Sequence, residues 1–191
     1  MLSFHRQISI GLKLKKPLTN GRQGFSFSLA VGFSAAVEPL TGMSVSLPLV
    51  DQWLHEEKAS LQGQEFDSVS ADEVQAAHQI LTVLQKSLFQ KSSLESVTLA
   101  KLEADFQEFE ISWDPQNGFA KTLKWDVEVP NSLGSYGRCE LLWTSSLDAL
   151  QPVLPTSFKS LEELLKTLKS LKPSGTICSV QDLARSEQWK I

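Results

Sequence analysis

The first forty residues alternate between apolar and polar side chains with a period of two, and this pattern constrains the fold most. The apolar positions are even in the first run and odd in the second: Phe4, Ile8, Ile10, Leu12 and Leu14, then Phe25, Phe27, Leu29, Val31 and Phe33. Successive side chains of a strand point to opposite faces of the sheet, so each run predicts a half-buried strand. The segment between them contains Pro17 and Asn20-Gly21, which are typical of a turn. We therefore expect an antiparallel pair of strands.

Helical periodicity follows in two places. A helix is predicted within residues 48–58, with Pro48 in the first turn, where its missing N–H costs nothing. A longer helix is predicted from Ser70, because Ser70 and Glu73 have the spacing of a capping box. Its apolar residues recur every three or four positions and form one stripe: Val74, Ala77, Leu81, Leu84 and Leu88.

The second half of the chain shows a similar order of patterns. An amphipathic helix is predicted after Pro155, and it ends at Pro173-Ser174-Gly175. Alternating residues predict further strands at 97–113 (two short strands or one long bent strand), 123–129, 139–143 and 176–189, with a turn at 114–118.

A shift of 80 residues superimposes apolar positions of the two halves. The helix residues Leu81, Leu84 and Leu88 fall on Leu161, Leu164 and Leu168, and the strand residues Val97, Ala104, Phe109 and Ile111 fall on Ile177, Ala184, Trp189 and Ile191. Shared periodicity alone can produce such matches, but we interpret them as an internal repeat. Each unit then has the order strand, strand, helix, strand. The predicted fold class is α+β, with an antiparallel sheet and helices on one face.

Composition excludes several classes of function. The chain has 191 residues, 41% of them hydrophobic, which suits one compact domain or two small ones. Eighteen basic against 22 acidic residues give a net charge of −4 with no basic run, which disfavours nucleic-acid binding. We see no membrane span, no signal peptide and too few cysteines for a disulfide framework. A cytoplasmic protein that binds neither nucleic acid nor membrane is expected.

The segment from Gly24 to Val45 carries a more specific pattern. A strand with the sequence Gly-Phe-Ser-Phe-Ser-Leu-Ala-Val at 24–31 precedes Val-Glu-Pro-Leu-Thr-Gly-Met-Ser-Val at 37–45. This arrangement resembles the 6-pyruvoyl-tetrahydropterin synthase and 6-carboxytetrahydropterin synthase family. The resemblance implies the tunnelling fold, in which ββααββ units join edge to edge into a barrel. It covers residues 1–113 as one unit and 117–191 as a second, shorter and more degenerate unit, and it implies a homo-oligomer.

The residues that carry the family's chemistry are replaced. The resemblance places Leu12, Gln23 and Phe25 at the positions of the three histidines that hold zinc in the family. Leucine and phenylalanine offer no donor atom, and one glutamine cannot hold the metal. The family's reactive cysteine corresponds to a position near Asn20. We therefore expect no metal, no cofactor and no catalytic residue of the family type.

The family's proton relay and pterin anchor are matched no better. The relay segment, which contains an Asp-His pair, aligns with residues 61–67, and both members of that pair are absent. The glutamate that anchors the pterin corresponds to Leu102 in the first unit and to Asp182 in the second. Asp182 is therefore the one candidate ligand-binding residue. The alternative is an ordinary acid at a strand end that faces solvent or pairs with Arg185.

Structural roles are expected for the other notable side chains. The three histidines are interpreted as solvated or singly hydrogen-bonded rather than as a new metal site, and both cysteines as inert buried thiols. The tryptophans are expected in the core or a subunit interface, with a stacking wall for a planar ligand as the alternative. These residues are His5, His55, His78, Cys139, Cys178, Trp53, Trp113, Trp125, Trp143 and Trp189.

Two functions from different classes follow. In the first, the chain is a divergent, non-catalytic relative of the pterin synthases that serves as an assembly protein or binds a pterin- or purine-like small molecule. In the second, it is an active pterin-pathway lyase or synthase with a new site near Asp182. The loss of metal ligands, nucleophile and relay together favours the first, because removing even one such group costs orders of magnitude in rate.

Overall fold

A computed structural model describes residues 2–36, 46–63, 65–68, 70–95, 97–130, 136–174, 176–182 and 187–191. Within these ranges the chain forms nine β-strands and three α-helices, which confirms the α+β class. None of the described helices is both long and apolar enough to cross a membrane. The chain divides into two compact units. Unit 1 comprises residues 1–106 and 111–119, and unit 2 comprises 107–110 and 120–191.

Unit 1 is built on the predicted pair of strands. Strand β1 (Leu2–Leu14) runs antiparallel to β2 (Gly24–Ala35). A two-residue strand, β3 (Glu65–Phe66), pairs in parallel with the last two residues of β1. On the other side of β2 lies the antiparallel β4 (Val97–Asp105), and β5 (Phe109–Asp114) follows it. The strand order β3-β1-β2-β4 therefore leaves β1 next to last at one side of unit 1.

Two helices of unit 1 cover the apolar face of these strands. Helix α1 (Leu47–Gln62) extends beyond the predicted range at both ends, and helix α2 is Glu73–Leu94. Trp53 of α1 is buried with its ring 6.3 Å from that of Phe33 on β2. The alternation that defined the strands thus places one side chain in two against the helices.

The predicted capping box of α2 is wrong. The helix is capped by Asp72, whose side chain accepts a hydrogen bond from the backbone N–H of Gln75 at 2.9 Å. The hydroxyl oxygen of Ser70 instead accepts a bond from the N–H of Asp72 at 3.1 Å. Aspartate and serine are both favoured at the N-cap, and the helix begins after Asp72, two residues later than the predicted cap at Ser70.

Unit 2 contains a second antiparallel pair followed by a helix and two more strands. These elements are β6 (Gly118–Pro130, whose first two residues belong to unit 1), β7 (Tyr136–Ser146), α3 (Leu161–Leu171), β8 (Ile177–Asp182) and β9 (Glu187–Lys190). Each successive strand pairs antiparallel with the one before it in the chain. The single final strand predicted over 176–189 is therefore wrong. The chain reverses there, so that Val180 lies opposite Trp189.

The order of elements is similar in the two units. In each, an antiparallel pair is followed by a short segment that runs parallel to the end of the first strand, a helix, and a third strand antiparallel to the second. In unit 1 the short segment is β3, and in unit 2 it is Ser157, which bridges to Glu128 of β6. Among the described residues, α1 has no counterpart in unit 2. Val97 is the first residue of β4 and Ile177 is the first residue of β8, and these two positions are 80 residues apart.

Candidate functional site

An open cleft of about 570 Å³ lies in unit 1, where the end of β1, the start of β2 and the carboxyl end of α1 meet. We call it the unit 1 cleft. Its lining residues are Gly11, Leu12, Lys13, Phe25, Gln62, Gly63 and Glu65.

Close approach of two backbones shapes the strand side of the cleft. A Cβ atom on Gly24 would lie 2.4 Å from the carbonyl oxygen of Leu12, a distance that no real side chain adopts. The N–H of Leu14 donates to the carbonyl of Gln23 at 2.8 Å, and the N–H of Lys15 donates to the carbonyl of Phe66 at 3.0 Å. These bonds hold β1 between β2 and β3 at the point where the cleft begins.

The structure brings together two of the three positions that the resemblance assigned to zinc ligands. Leu12 lies directly opposite Phe25 across the two strands, and both residues line the cleft. They are buried, with 6% and 4% of their surface exposed. Gln23 immediately precedes the start of β2. Leu12 and Phe25 therefore share a site, whereas Gln23 is exposed and is not among the residues that line the cleft.

The donor set at these positions does not fit zinc. Zinc needs nitrogen, sulfur or oxygen ligands, and two of the three side chains are hydrocarbons. Across the described ranges, we find no cluster of three or more His, Cys, Asp or Glu side chains that could hold a metal ion. Leu12, Gln23 and Phe25 therefore cannot hold a zinc ion together.

Aromatic rings pack against the apolar wall of the cleft. The ring of Phe25 meets that of Phe106 edge to face at 5.4 Å, and the ring of Phe27 stacks on the same Phe106 at 4.7 Å. Such pairs contribute about 0.5–1.5 kcal/mol each beyond the burial of their surface. The wall offered to a ligand by Phe25 and Leu12 is thus preformed and apolar.

The opposite rim of the cleft is rich in hydrogen-bond acceptors. Helix α1 ends there at Gln62 and Gly63, and its last turn contains no basic residue. The final carbonyl groups of a helix lack partners within the helix and carry partial negative charge. The carboxylate residue Glu65 follows on β3, where its backbone lies opposite Lys13 in the strand register. A ligand with N–H donors or positive charge on one edge suits this rim.

Segment 61–67, which the resemblance aligned with the proton relay, therefore contributes to the cleft. Sequence reasoning aligned this segment with the family but did not predict a cleft there. The signal available was Gly24 at the start of the second apolar run, because a glycine in a strand often marks a close backbone approach. The Glu38–Met43 turn of the resemblance lies outside the described residues.

Asp182 lies in unit 2, as the last residue of β8. Its neighbours across the strands are Cys139 on β7 and Glu187 on β9, and it is partly exposed. Arg185, its suggested partner, lies outside the described residues. The first-unit position, Leu102, is fully buried on β4.

Both cysteines are buried in unit 2 and are free thiols. Burial raises the pKa of Cys178 to about 11. Burial, with a contribution from the charge of Asp182, also raises the pKa of Cys139. The reactive form of cysteine is the thiolate, so neither group is poised as a nucleophile near neutral pH.

The three histidines lie on three different elements of unit 1. His5 is exposed on β1, with its ring against Gly32 of β2, where an added Cβ would lie 3.1 Å from Nδ1. Nδ1 of His55 lies 2.7 Å from the carbonyl oxygen of the residue one turn earlier in α1. The ring of His78 on α2 meets Phe119 edge to face at 4.7 Å.

The tryptophans are buried or half-buried where they can be described. Trp53 and Trp143 are buried, and Trp113, Trp125 and Trp189 are half-buried.

Searches for related proteins give no match to this chain among protein-family models, curated proteins or solved structures.

Proposed function

We propose that this protein is a divergent, non-catalytic relative of the pterin synthases that binds a small planar heterocycle in the unit 1 cleft. One observation carries the proposal. Leu12 and Phe25, at two positions where the resemblance implies metal ligands, face each other as buried hydrocarbons on the wall of a cleft. A site of this shape can hold a ligand, and it has lost the donor atoms that the family's reaction needs.

The order of elements supports the fold part of this proposal. Unit 1 has two strands, a helix, a short strand, a second helix and a further pair of strands, which is the order that a ββααββ unit implies. Unit 2 has two strands, one helix and two further strands, with a single bridging residue in place of the short strand. Two tunnelling-fold units in tandem account for both orders and for the apolar matches 80 residues apart.

The chemistry of the cleft supports the ligand class. A flat ring system can lie against Phe25 and Leu12, while amino or ring N–H groups on its edge donate to Glu65 and to the last carbonyls of α1. Hydrogen bonds to a charged acceptor contribute about 1.5–3 kcal/mol. Pterins and purines combine such a flat body with an N–H-bearing edge.

Isothermal titration calorimetry and thermal shift with a reduced pterin and with guanine test the proposal. A bound ligand raises the unfolding free energy by about 2.7 kcal/mol when it is present at 100 times its dissociation constant. Replacing Glu65 by Gln should weaken binding by about 10-fold, because a charged acceptor becomes neutral. Glu95→Gln is the matched control, since Glu95 is exposed beyond the end of α2. The proposal fails if millimolar ligand gives no shift, or if both variants bind like the wild type.

A restored metal site tests the alignment on which the proposal depends. The triple variant Leu12→His, Gln23→His and Phe25→His puts imidazoles at the three aligned positions. We expect it to lose stability without metal, because two apolar side chains leave the core, and to regain it with zinc. A variant that is folded by circular dichroism and shows no zinc-dependent shift in Tm would refute the alignment.

The enzymatic alternative has its own test. Wild-type protein incubated with reduced pterins should give no product. If product forms and Asp182→Asn abolishes it, the protein is an enzyme with a site near Asp182, and the non-catalytic proposal is wrong.

A further inference from the structure

Two asparagines of the chain are followed directly by glycine, and both pairs lie where one strand turns into the next. Asn20-Gly21 lies between β1 and β2, and Asn117-Gly118 lies where β5 turns into β6. Both asparagines are exposed, and the two glycines have positive φ angles of 80° and 72°. A glycine has no side chain to keep its backbone nitrogen away from the amide of the preceding asparagine. These two groups can therefore react with each other more readily in an Asn-Gly pair than before a larger residue.

Hydrogen bonds hold all the reacting groups of the first pair. The amide oxygen of Asn20 accepts a bond from the N–H of Arg22 at 3.1 Å, and its amide nitrogen donates to the carboxylate of Glu73 at 3.0 Å. The N–H of Gly21 donates to the carbonyl oxygen of Leu18 at 2.9 Å. A reaction between Gly21 and the Asn20 amide must break these bonds and must remove a proton that is already shared with an acceptor.

The side chain of the second pair is held at one end only. The amide nitrogen of Asn117 donates to the two carboxylate oxygens of Asp114, at 3.1 and 3.2 Å. In the part of the chain that the structure describes, no hydrogen bond engages the amide oxygen of Asn117. A Cβ atom placed on Gly118 would have no heavy atom within 4 Å apart from those of its chain neighbours, so the space beside this residue is open. The Asn117 amide can therefore turn towards Gly118 once its bonds to one carboxylate are released.

We propose that Asn117 is a site of spontaneous chemical modification, at which its side-chain amide becomes a carboxylate through a cyclic imide formed with Gly118. The backbone nitrogen of Gly118 gives its proton to hydroxide and attacks Cγ of Asn117. The new N–Cγ bond replaces the Cγ–Nδ2 bond, and the amide nitrogen takes up a proton and leaves as ammonia. Water then adds to one of the two carbonyl carbons of the imide and breaks the bond of that carbon to nitrogen. The product is aspartate, or isoaspartate when the broken bond is that of the main-chain carbonyl.

The modification changes an attraction in this turn into a repulsion. The carboxylate of Asp114 accepts hydrogen bonds from the backbone N–H groups of Gln116 and Asn117, both at 2.8 Å, and from the Asn117 amide. A carboxylate at position 117 has no proton to donate to Asp114 near neutral pH, and it sets two negative charges side by side. It also adds one negative charge to a chain whose net charge is −4. The modified protein should therefore separate from the unmodified protein on an anion-exchange column.

Peptide mass spectrometry of the whole protein tests the proposal and does not depend on any ligand in the cleft. The protein is incubated in mildly alkaline buffer, folded or in urea, and each asparagine-containing peptide is followed for the mass gained when OH replaces NH2. For each asparagine, the rate in the folded protein is divided by the rate in urea. This ratio should be at least about 10-fold higher for Asn117 than for Asn20, because the Asn20 amide oxygen and the Gly21 nitrogen must also give up hydrogen bonds. A sample digested without incubation corrects for changes during digestion.

Variants at the two turns separate the effect of sequence from that of structure. Asn117→Gln should abolish the change at this turn, because the longer side chain would have to close a larger ring, and it should leave Asn20 as in the wild type. Glu73→Ala removes the acceptor of the Asn20 amide nitrogen, so it should speed the reaction at Asn20 and not at Asn117. The proposal is overturned if folding slows Asn117 as much as it slows Asn20. It is also overturned if Asn117 of the folded protein stays unmodified for the time in which the sample in urea is converted.

Discussion

Two glycines of the first strand pair should respond to the same substitution with opposite signs. A methyl group on Gly24 would lie 2.4 Å from the carbonyl oxygen of Leu12 and 3.4 Å from Cα of Lys13, both of which are backbone atoms that cannot rotate away. Overpacking of this kind costs about 1–3 kcal/mol, and the lower entropy of the unfolded chain returns about 0.4–1 kcal/mol. Gly24→Ala should therefore lower the unfolding free energy by about 1–2 kcal/mol.

Gly11→Ala is the matched control. The nearest heavy atom to a Cβ on Gly11 is the carbonyl oxygen of Phe25, at 4.0 Å, so the methyl group fits. The entropy gain then remains, and the variant should be more stable by about 0.4–1 kcal/mol. For a chain of this size, the two variants should differ in Tm by about 4–8 °C. Equal effects, or a stabilised Gly24→Ala variant, would refute the close approach of β1 and β2 at the cleft.

Three further predictions concern stability and reactivity. Gln107 has a φ of 76°, which L-residues adopt at a cost, so Gln107→Gly should raise the unfolding free energy by about 0.5–1 kcal/mol in urea denaturation, while Gln107→Ala should not. Cys139 and Cys178 should not react with Ellman's reagent at neutral pH until the protein is unfolded in urea, since burial raises both pKa values; prompt reaction of the folded protein would contradict their burial. Hydrogen bonds from Asn117 and from the backbone N–H of Gln116 hold the pKa of Asp114 below its usual 3.8. The Asp114 carboxylate therefore stabilises the fold at pH values above its pKa in the unfolded chain, and this contribution is lost as the pH falls through its lower pKa in the folded protein. The stability difference between wild type and Asp114→Ala should shrink over that range in acid titrations, and a constant difference would be the contrary result.

The strands that carry a regular alternation were predictable from the sequence. β1 and β2 have one face against helices and one face exposed, so burial leaves a period of two in the sequence. β3 was missed because two residues are too few to show a period. The sequence predicts one strand where the structure has β8 and β9, because Val180 and Trp189 are both apolar and their antiparallel pairing depends on a contact between strands.

The candidate site was predictable in part. The resemblance placed Leu12 and Phe25 at one site, and their positions opposite each other follow from the register of the hairpin. The contribution of Gln62 and Glu65 depends on where α1 ends and on the short parallel pairing of β3, and neither leaves a local pattern in the sequence. Tertiary contacts decide both.

The extra helix of unit 1 has a consequence for the order in which the chain folds. To pair β2 with β4, the chain must bring together residues 35 and 97, which are 62 positions apart. In unit 2 the corresponding pair, residues 144 and 177, is 33 positions apart. Closing the longer loop costs about 0.6 kcal/mol more in chain entropy, since the length nearly doubles. During refolding we therefore expect protection of amide hydrogens from exchange to arise earlier at Thr144 and Ile177 than at Ala35 and Val97.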